Sequence, residues 1–454
     1  MRLCEGTLPQ VPEAAERFAY DRRAQAAGIV HFGIGAFHRA HQAWYTDRAM
    51  DGGDEGWAIV GVSLRSPGVG EQMNPQDGLY TVTERDAGGD RTRVIGAVQR
   101  VLVAAADPDA VIAAVAARQT RIVSFTVTEK GYCRAADGSL DPALAGSGSL
   151  YRFVAAGLRR RHDAGLPGLT LLSCDNLADN GRRLEALMQE YLDRHDPALR
   201  GWFDSACTCP ATMIDRIVPA TTDKDRAALT DALGGLRDEA AVVTEPFSQW
   251  VIEDRFAGPR PGWERVGAEL VGDVSPYENA KLRMLNGAHS ALAYLGLRKG
   301  YTFVHEAVAD PELGTLITDL MLREAAPTLN PAPGQDLAAY ARALVERFGN
   351  PALHHRLIQI AMDGSQKIPQ RWLATLADNQ AQGRACPALL RALGAWLDHL
   401  RGANGPVDDP RAEELAALAQ TLDRAAFADA LFGPGGLFAA SWTMTPADRA
   451  VLAA

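Results

Sequence analysis

One run of residues constrains the fold more than any other: the apolar stretch Gly28-Ile29-Val30-His31-Phe32 leads directly into Gly33-Ile34-Gly35-Ala36-Phe37-His38-Arg39-Ala40-His41. A buried strand that ends on a glycine-rich turn and then opens a helical pattern reads as the first unit of a doubly wound α/β sheet. Three further short apolar runs follow, Trp57–Val62, Arg121–Val127 and Leu169–Ser173. Separated by helix-like stretches, they predict parallel strands joined by helical crossovers.

The chemistry of the turn is geometric. Gly33 permits the tight bend, Gly35 lets backbone approach a pyrophosphate, and the following helix presents unpaired N–H groups to that anion. The match to G-x-G-x-x-G is incomplete, because His38 stands where a third glycine allows close helix packing. Strand before and helix after make dinucleotide binding the reading, with an ordinary strand-to-helix turn as the alternative. The next strand closes on Val62-Ser63-Leu64-Arg65-Ser66-Pro67-Gly68, with no acid to hold a ribose hydroxyl. NAD against NADP therefore stays open, since Arg65 can receive a 2'-phosphate or simply be solvated.

From about Ser275 the texture changes to long segments rich in Ala, Leu, Arg and Glu. Asp336–Phe348 and Pro387–Leu400 carry apolar residues at three- and four-residue intervals, as amphipathic helices do. Ser275 and Pro276 fit the N-cap and first position of the first helix, and Ala257–Gly262 reads as a surface connection. The expected architecture is α/β: a Rossmann-type doubly wound sheet domain over residues 1–274, followed by a mostly α-helical catalytic domain over residues 275–454.

A chain of 454 residues exceeds one ordinary core, which agrees with two domains. Its formal net charge of −10 argues against a nucleic-acid partner, because phosphate binding needs a basic surface. No apolar run approaches the roughly 20 residues that span a bilayer, so a cytoplasmic protein without membrane association is expected. The cysteines Cys4, Cys133, Cys174, Cys207, Cys209 and Cys386 show no repeated pairing and are expected as reduced thiols. Cys207-Thr208-Cys209 lacks the second ligand pair of a structural zinc, and no metal is expected.

Chemistry concentrates in Lys281-Leu282-Arg283-Met284-Leu285-Asn286-Gly287-Ala288-His289. In α-helical geometry Asn286 lies about 140° and His289 about 80° from Lys281, so one side of the helix carries amine, amide and imidazole. Oxidising a secondary alcohol requires loss of the hydroxyl proton as hydride leaves carbon, and a lysine with a lowered pKa can take it. Amide donors steady the developing alkoxide: Asn286 supplies one, and Asn176 stands at the end of the strand Leu171–Asn176, where doubly wound sheets place ligands. The plain alternative is a solvated lysine, a surface asparagine and a core histidine.

These residues resemble the polyol-specific long-chain (mannitol) dehydrogenase family, which includes mannitol 2-dehydrogenases and fructuronate reductases (D-mannonate oxidoreductases). The resemblance rests on GIGAFHRAHQ (Gly33–Gln42), TVTEKGYC (Thr126–Cys133), SCDNL (Ser173–Leu177), MIDRI (Met213–Ile217), EPFSQWVIED (Glu245–Asp254), the Lys281/Asn286/His289 motif and DGSQK (Asp363–Lys367). It implies NAD-dependent, metal-independent hydride transfer, with Lys281 as general base, Asn176 and Asn286 as the oxyanion hole, and His289 orienting substrate. It places Asp215 and Lys367 on substrate hydroxyls and gives Glu278 proton exchange with solvent. The nicotinamide cofactor falls to Gly33, Gly35, Phe37, His38, Arg39, Arg65 and Thr128.

Within the family, two features depart from the mannitol pattern: Pro67-Gly68 after the second strand, and Gln359, kept as a candidate substrate-binding residue, where a basic residue precedes the DGS segment. MLNGAHS (Met284–Ser290) and Ile360–Arg371 are instead similar to the fructuronate reductase branch, and Arg371 becomes a candidate partner for a substrate carboxylate, with a surface salt bridge as its alternative. The expected reaction interconverts D-fructuronate and D-mannonate, with mannitol or arabinitol oxidation as second choice and a non-catalytic nucleotide- or sugar-binding protein as the alternative of another class. The expected partner is a small sugar acid or polyol, and the expected assembly a monomer or small homo-oligomer.

Overall fold

The four apolar runs of the first half become neighbouring strands of one sheet. In the computed structural model, which describes every residue except Ala136 and Ser147, the strands are β1 (Ile29–Phe32), β2 (Ile59–Ser63), β3 (Tyr80–Asp86), β4 (Gly89–Ile95), β5 (Val98–Val103), β6 (Ile122–Phe125), β7 (Thr170–Ser173), β8 (Thr212–Asp215), β9 (Val242–Thr244), β10 (Gln249–Glu253) and β11 (Glu269–Val271). The main sheet runs β5-β2-β1-β6-β7 with every pairing parallel. Strand order reverses at β1, which makes the ends of β1 and β6 the switch point where such sheets take ligands. Both faces are covered, so β1, β6 and β7 are buried at every position.

Two small sheets, β4-β3-β9 and β11-β10-β8, complete this unit, and the sequence reading did not anticipate them. The segment Ala257–Gly262 belongs to this unit rather than leading out of it. Gly262 N–H donates to Asp54 Oδ2 at 2.7 Å, and the next residue, Trp263, is fully buried. The chain divides further on, into compact units Met1–Val274 and Ser275–Ala454.

The second unit is helical. Its central helix, Gly287–Arg298, is buried from Gly287 to Gly296 and packs on Pro387–Leu400, and each leucine fully enclosed there contributes about 1.5–3 kcal/mol. Asp336 caps Leu337–Phe348 by accepting from Ala338 and Ala339 N–H. The first helix begins at Ser275 itself, one residue ahead of the expected first position Pro276, within the usual slack of helix ends.

A larger correction concerns the helix that carries the lysine. It runs as α-helix over Ser275–Ala280, as a π-helical turn over Lys281–Asn286, and as α-helix again from Gly287. Gly287 N–H reaches back five residues to Leu282 O, so the α-helical angles do not apply across this turn. Residues five apart stack over one another in a π turn, which draws Asn286 towards the azimuth of Lys281. Two further π turns, Leu320–Ala325 and Pro369–Leu373, pack against it. Single π turns inside α-helices gather at functional sites.

Among the described residues no helix is long and apolar enough to cross a membrane.

Candidate active site

In the first unit, Gly33 closes β1 at φ +91°, and a Cβ built there lies 2.1 Å from Thr126 O. The backbones after β1 and β6 thus approach more closely than any other residue type permits. Gly35 differs: a Cβ there meets nothing nearer than Gly33 O at 3.8 Å, so the chain itself does not demand glycine. That open, exposed cradle fits a pyrophosphate approaching the turn. The helix it opens is short, Ala36–Ala40, and breaks at His41 before Gln42–Asp51 begins.

The residues after the glycines turn mostly inward. Phe37 is half-buried and stacks on His41 at 5.0 Å. The His38 ring is fully buried. The Arg39 guanidinium is held by Gly35 O and Ala240 O. His38 and Arg39, both expected from sequence as cofactor-binding residues, thus keep their side chains buried beneath the turn. Arg65 is exposed, with no ion pair among the described residues. Thr128 is exposed at φ +63°, a left-handed conformation unusual for a β-branched residue.

That strained corner is fixed by Asp175, a residue to which the sequence reading gave no role. Its carboxylate accepts from Val127 N–H at 3.0 Å, Thr128 N–H at 2.9 Å and Tyr132 OH at 2.9 Å. Burial pushes its pKa up while these three donors pull it down. Asn176, the next residue, is exposed just beyond β7. Asn180 joins this segment to β8, donating to Asp175 O and Thr212 O and accepting from Thr212 N–H. Asp215 ends β8, buried and opposite Gln249. Its neighbour Arg216 pairs with Glu84 at 2.6 Å.

In the second unit, Lys281 is 9% exposed at the start of the π turn, Asn286 is half-buried at its end, and Glu278 is half-buried one turn earlier. His289 stacks on Phe348 at 5.1 Å and meets His355 edge-on at 4.8 Å. Its Nε2 is buried without a hydrogen-bond partner. Burial, then His355, Arg371, Arg347 and Lys367, hold the ring well below the usual histidine range, so it is neutral. Lys367 donates to Met362 O at 2.6 Å and lies 3.8 Å from Asp363. Burial and Arg371 lower its pKa. Arg371 donates to Ser290 Oγ and to Asn286 O, and is not the surface salt bridge weighed as its alternative.

The fold therefore gathers Asn286, His289, Lys367 and Arg371 into one electrostatic neighbourhood. Gln359 is exposed, and its side chain makes no hydrogen bond to any of them. His355 and Ser290 join this group without having been assigned a part from sequence. The thiols of Cys207 and Cys209 are buried, which pushes Cys207 up to about 11, away from the thiolate a metal takes. Among the described residues no three His, Cys, Asp or Glu cluster as metal ligands do.

Comparison with known proteins agrees with this architecture. The mannitol dehydrogenase Rossmann domain matches residues 27–265, and the mannitol dehydrogenase C-terminal domain matches residues 273–432. The chain belongs to the mannitol dehydrogenase family of oxidoreductases. It is 40% identical over 444 residues to the D-mannonate oxidoreductase of Escherichia coli (strain K12), covering 93% of this chain and 91% of that one. A Pseudomonas fluorescens mannitol 2-dehydrogenase, solved as a ternary complex with NAD and D-mannitol, is 36% identical with a TM-score of 0.84, covering 100% of this chain and 96% of its own. A D-sorbitol dehydrogenase in substrate-free form is 32% identical with a TM-score of 0.92, covering 100% and 97%.

Proposed function

We propose that this protein is an NAD-dependent oxidoreductase that interconverts a 2-keto sugar acid and its 2-hydroxy form, D-fructuronate and D-mannonate, with Lys281 as general base and no metal. The observation that carries the reading is the burial of Lys281 at the start of a π-helical turn that ends on Asn286. An amine serves as base when its surroundings favour the neutral form, and an amide one π turn away can donate to the oxygen that loses the proton.

In the oxidative direction Lys281 accepts the hydroxyl proton, and Asn286 and Asn176 donate to the developing alkoxide. Glu278 returns that proton to solvent. Neutral His289 orients the substrate through its unpartnered Nε2, and Asp215 and Lys367 hold further hydroxyls. NAD, when bound, takes up or returns the hydride. The Gly33–Gly35 turn holds its pyrophosphate, and exposed Arg65 leaves room for the extra phosphate of NADP. The choice of a sugar acid is supported by likeness to a D-mannonate oxidoreductase. Likeness to a mannitol 2-dehydrogenase supports oxidation of a neutral polyol as second reading.

Nicotinamide absorbance with D-fructuronate, D-mannonate, D-mannitol and D-arabinitol, each with NAD and NADP, tests both. The highest kcat/KM is expected for the D-fructuronate/D-mannonate pair with NAD. A higher value for a polyol favours the second reading. Absence of turnover with all of them makes the protein a binder.

A further inference from the structure

Arg371 lies on the π turn Pro369–Leu373, packed against the π turn of Lys281. Its Nη1 donates to Ser290 Oγ at 2.8 Å and to Asn286 O at 3.3 Å. These bonds orient one nitrogen of the guanidinium, and neither acceptor carries charge. The Nε and Nη2 groups have no acceptor and the guanidinium no carboxylate partner among the described residues. Arg216 and Arg93, which are buried more deeply, are each paired with a carboxylate, Glu84 at 2.6 Å and Asp47 at 2.8 Å.

The surroundings hold both signs of charge: Lys367 lies nearby and is itself 3.8 Å from Asp363. Lys367 is near enough for the two like charges to disfavour one another, and His289 feels both. Burial brings Arg371 itself down to about 10. Removing a cation from water without a counter-ion is costly, and an anion seated beside it restores the balance. The side-on edge formed by Nε and Nη2 matches the two oxygens of a carboxylate.

We propose that the Nε–Nη2 edge of Arg371 is the subsite for the carboxylate of a sugar acid, that Ser290 positions this edge, and that Arg371 thereby selects an anionic substrate over a neutral polyol. The proposal rests on the reading of the protein as a sugar-acid dehydrogenase and names the residue that reads the acid. Through Asn286 O the same guanidinium also touches the turn that carries the proposed base.

Arg371→Gln, Arg371→Lys and Ser290→Ala are compared with wild type in kcat/KM for D-mannonate and D-mannitol, and in the rise of Tm that each ligand gives without cofactor. In Arg371→Gln the mannonate-to-mannitol ratio of kcat/KM is expected to fall about 10- to 100-fold, mainly through a higher KM for D-mannonate. Arg371→Lys recovers part of that loss, and Ser290→Ala shifts the ratio the same way by roughly 3- to 10-fold. D-mannonate raises Tm in wild type but not in Arg371→Gln. If Arg371→Gln does not fold, Arg371→Lys and Ser290→Ala carry the comparison. An equal loss for both ligands, or a Tm rise with D-mannonate that survives Arg371→Gln, overturns the proposal. Failure of D-mannonate to bind wild type does so too. Arg371-dependent binding of D-mannonate without turnover leaves the subsite standing and removes the dehydrogenase reading.

Discussion

His38 lies face to face with His31, ring centroids 3.4 Å apart at an interplanar angle of 13°, both rings fully buried behind the glycine turn. His31 Nδ1 lies 2.8 Å from Ser124 Oγ, which in turn bonds Gln42 Oε1. His31 Nε2 lies 2.8 Å from Thr126 Oγ1 and 3.3 Å from Gly33 O, to which Thr126 Oγ1 donates. The stack braces the backbone behind the glycine turn proposed to hold the pyrophosphate, and two protonated rings so placed would repel each other.

Burial pushes His31 down to about 3 and His38 well below its usual range, with His31 and His41 adding to the effect on His38. The unfolded chain protonates both near pH 6.5, so it binds more protons than the folded state between there and pH 3. Their contribution to stability is complete above about pH 6.5 and is lost as pH falls through that window. The expected result is a Tm that drops from pH 7.5 to pH 5, and drops less in His38→Phe, which keeps a stacked ring without a proton site. Equal slopes in the two proteins contradict this account.

Glu324 titrates with the opposite sign. It is 2% exposed and accepts from Ala388 and Leu389 N–H at the start of helix Pro387–Leu400, at 2.7 and 2.8 Å. Burial pushes its carboxyl up to about 7. Between pH 4.5 and 7 the folded state therefore holds a proton that the unfolded state has lost, and its contribution to stability declines as pH rises through 7. Thermal melts of Glu324→Gln should gain on wild type from pH 5 to pH 8; a constant difference would show that the group does not titrate there.

The two glycines of the turn separate fold from function. Gly33→Ala forces a Cβ to 2.1 Å from Thr126 O at a positive φ and is expected to cost about 2–4 kcal/mol, read as a lower Tm. Gly35→Ala meets open space in the chain and is expected to leave Tm within roughly the ±0.5 kcal/mol of an ordinary surface change. A methyl group there occupies the proposed pyrophosphate cradle, so the Kd for NADH should rise about tenfold or more in a fluorescence titration. Unchanged NADH affinity in Gly35→Ala would remove the cradle from that position.

Much of this was legible in the residues themselves. The runs around Ile29, Ile59, Ile122 and Leu171 are apolar because both faces of their sheet are covered, and that burial is what makes such strands readable. The hairpin Tyr80–Asp86 with Gly89–Ile95 is marked by no long apolar run because the ends that meet at its turn carry the charged residues Glu84, Arg85, Asp86, Asp90 and Arg91. The π turn at Lys281–Asn286 was not visible, since π and α turns draw on the same residue types and differ only in which carbonyl each N–H reaches. His38 and Arg39 sit in a recognisable motif, yet only the packing shows that their side chains are buried. Asp175 could have been found: an acid preceding a proposed oxyanion donor, beyond a strand, invites a search for the N–H groups it fixes.

The most direct test is hydride transfer measured in a single turnover across pH for Lys281→Ala and wild type, alongside the Kd for NADH. The account predicts a rate lower by about 10²- to 10⁴-fold, loss of the pH dependence that belongs to the base, and a Kd within roughly twofold of wild type. A variant that keeps the wild-type rate and the wild-type pH profile would contradict it.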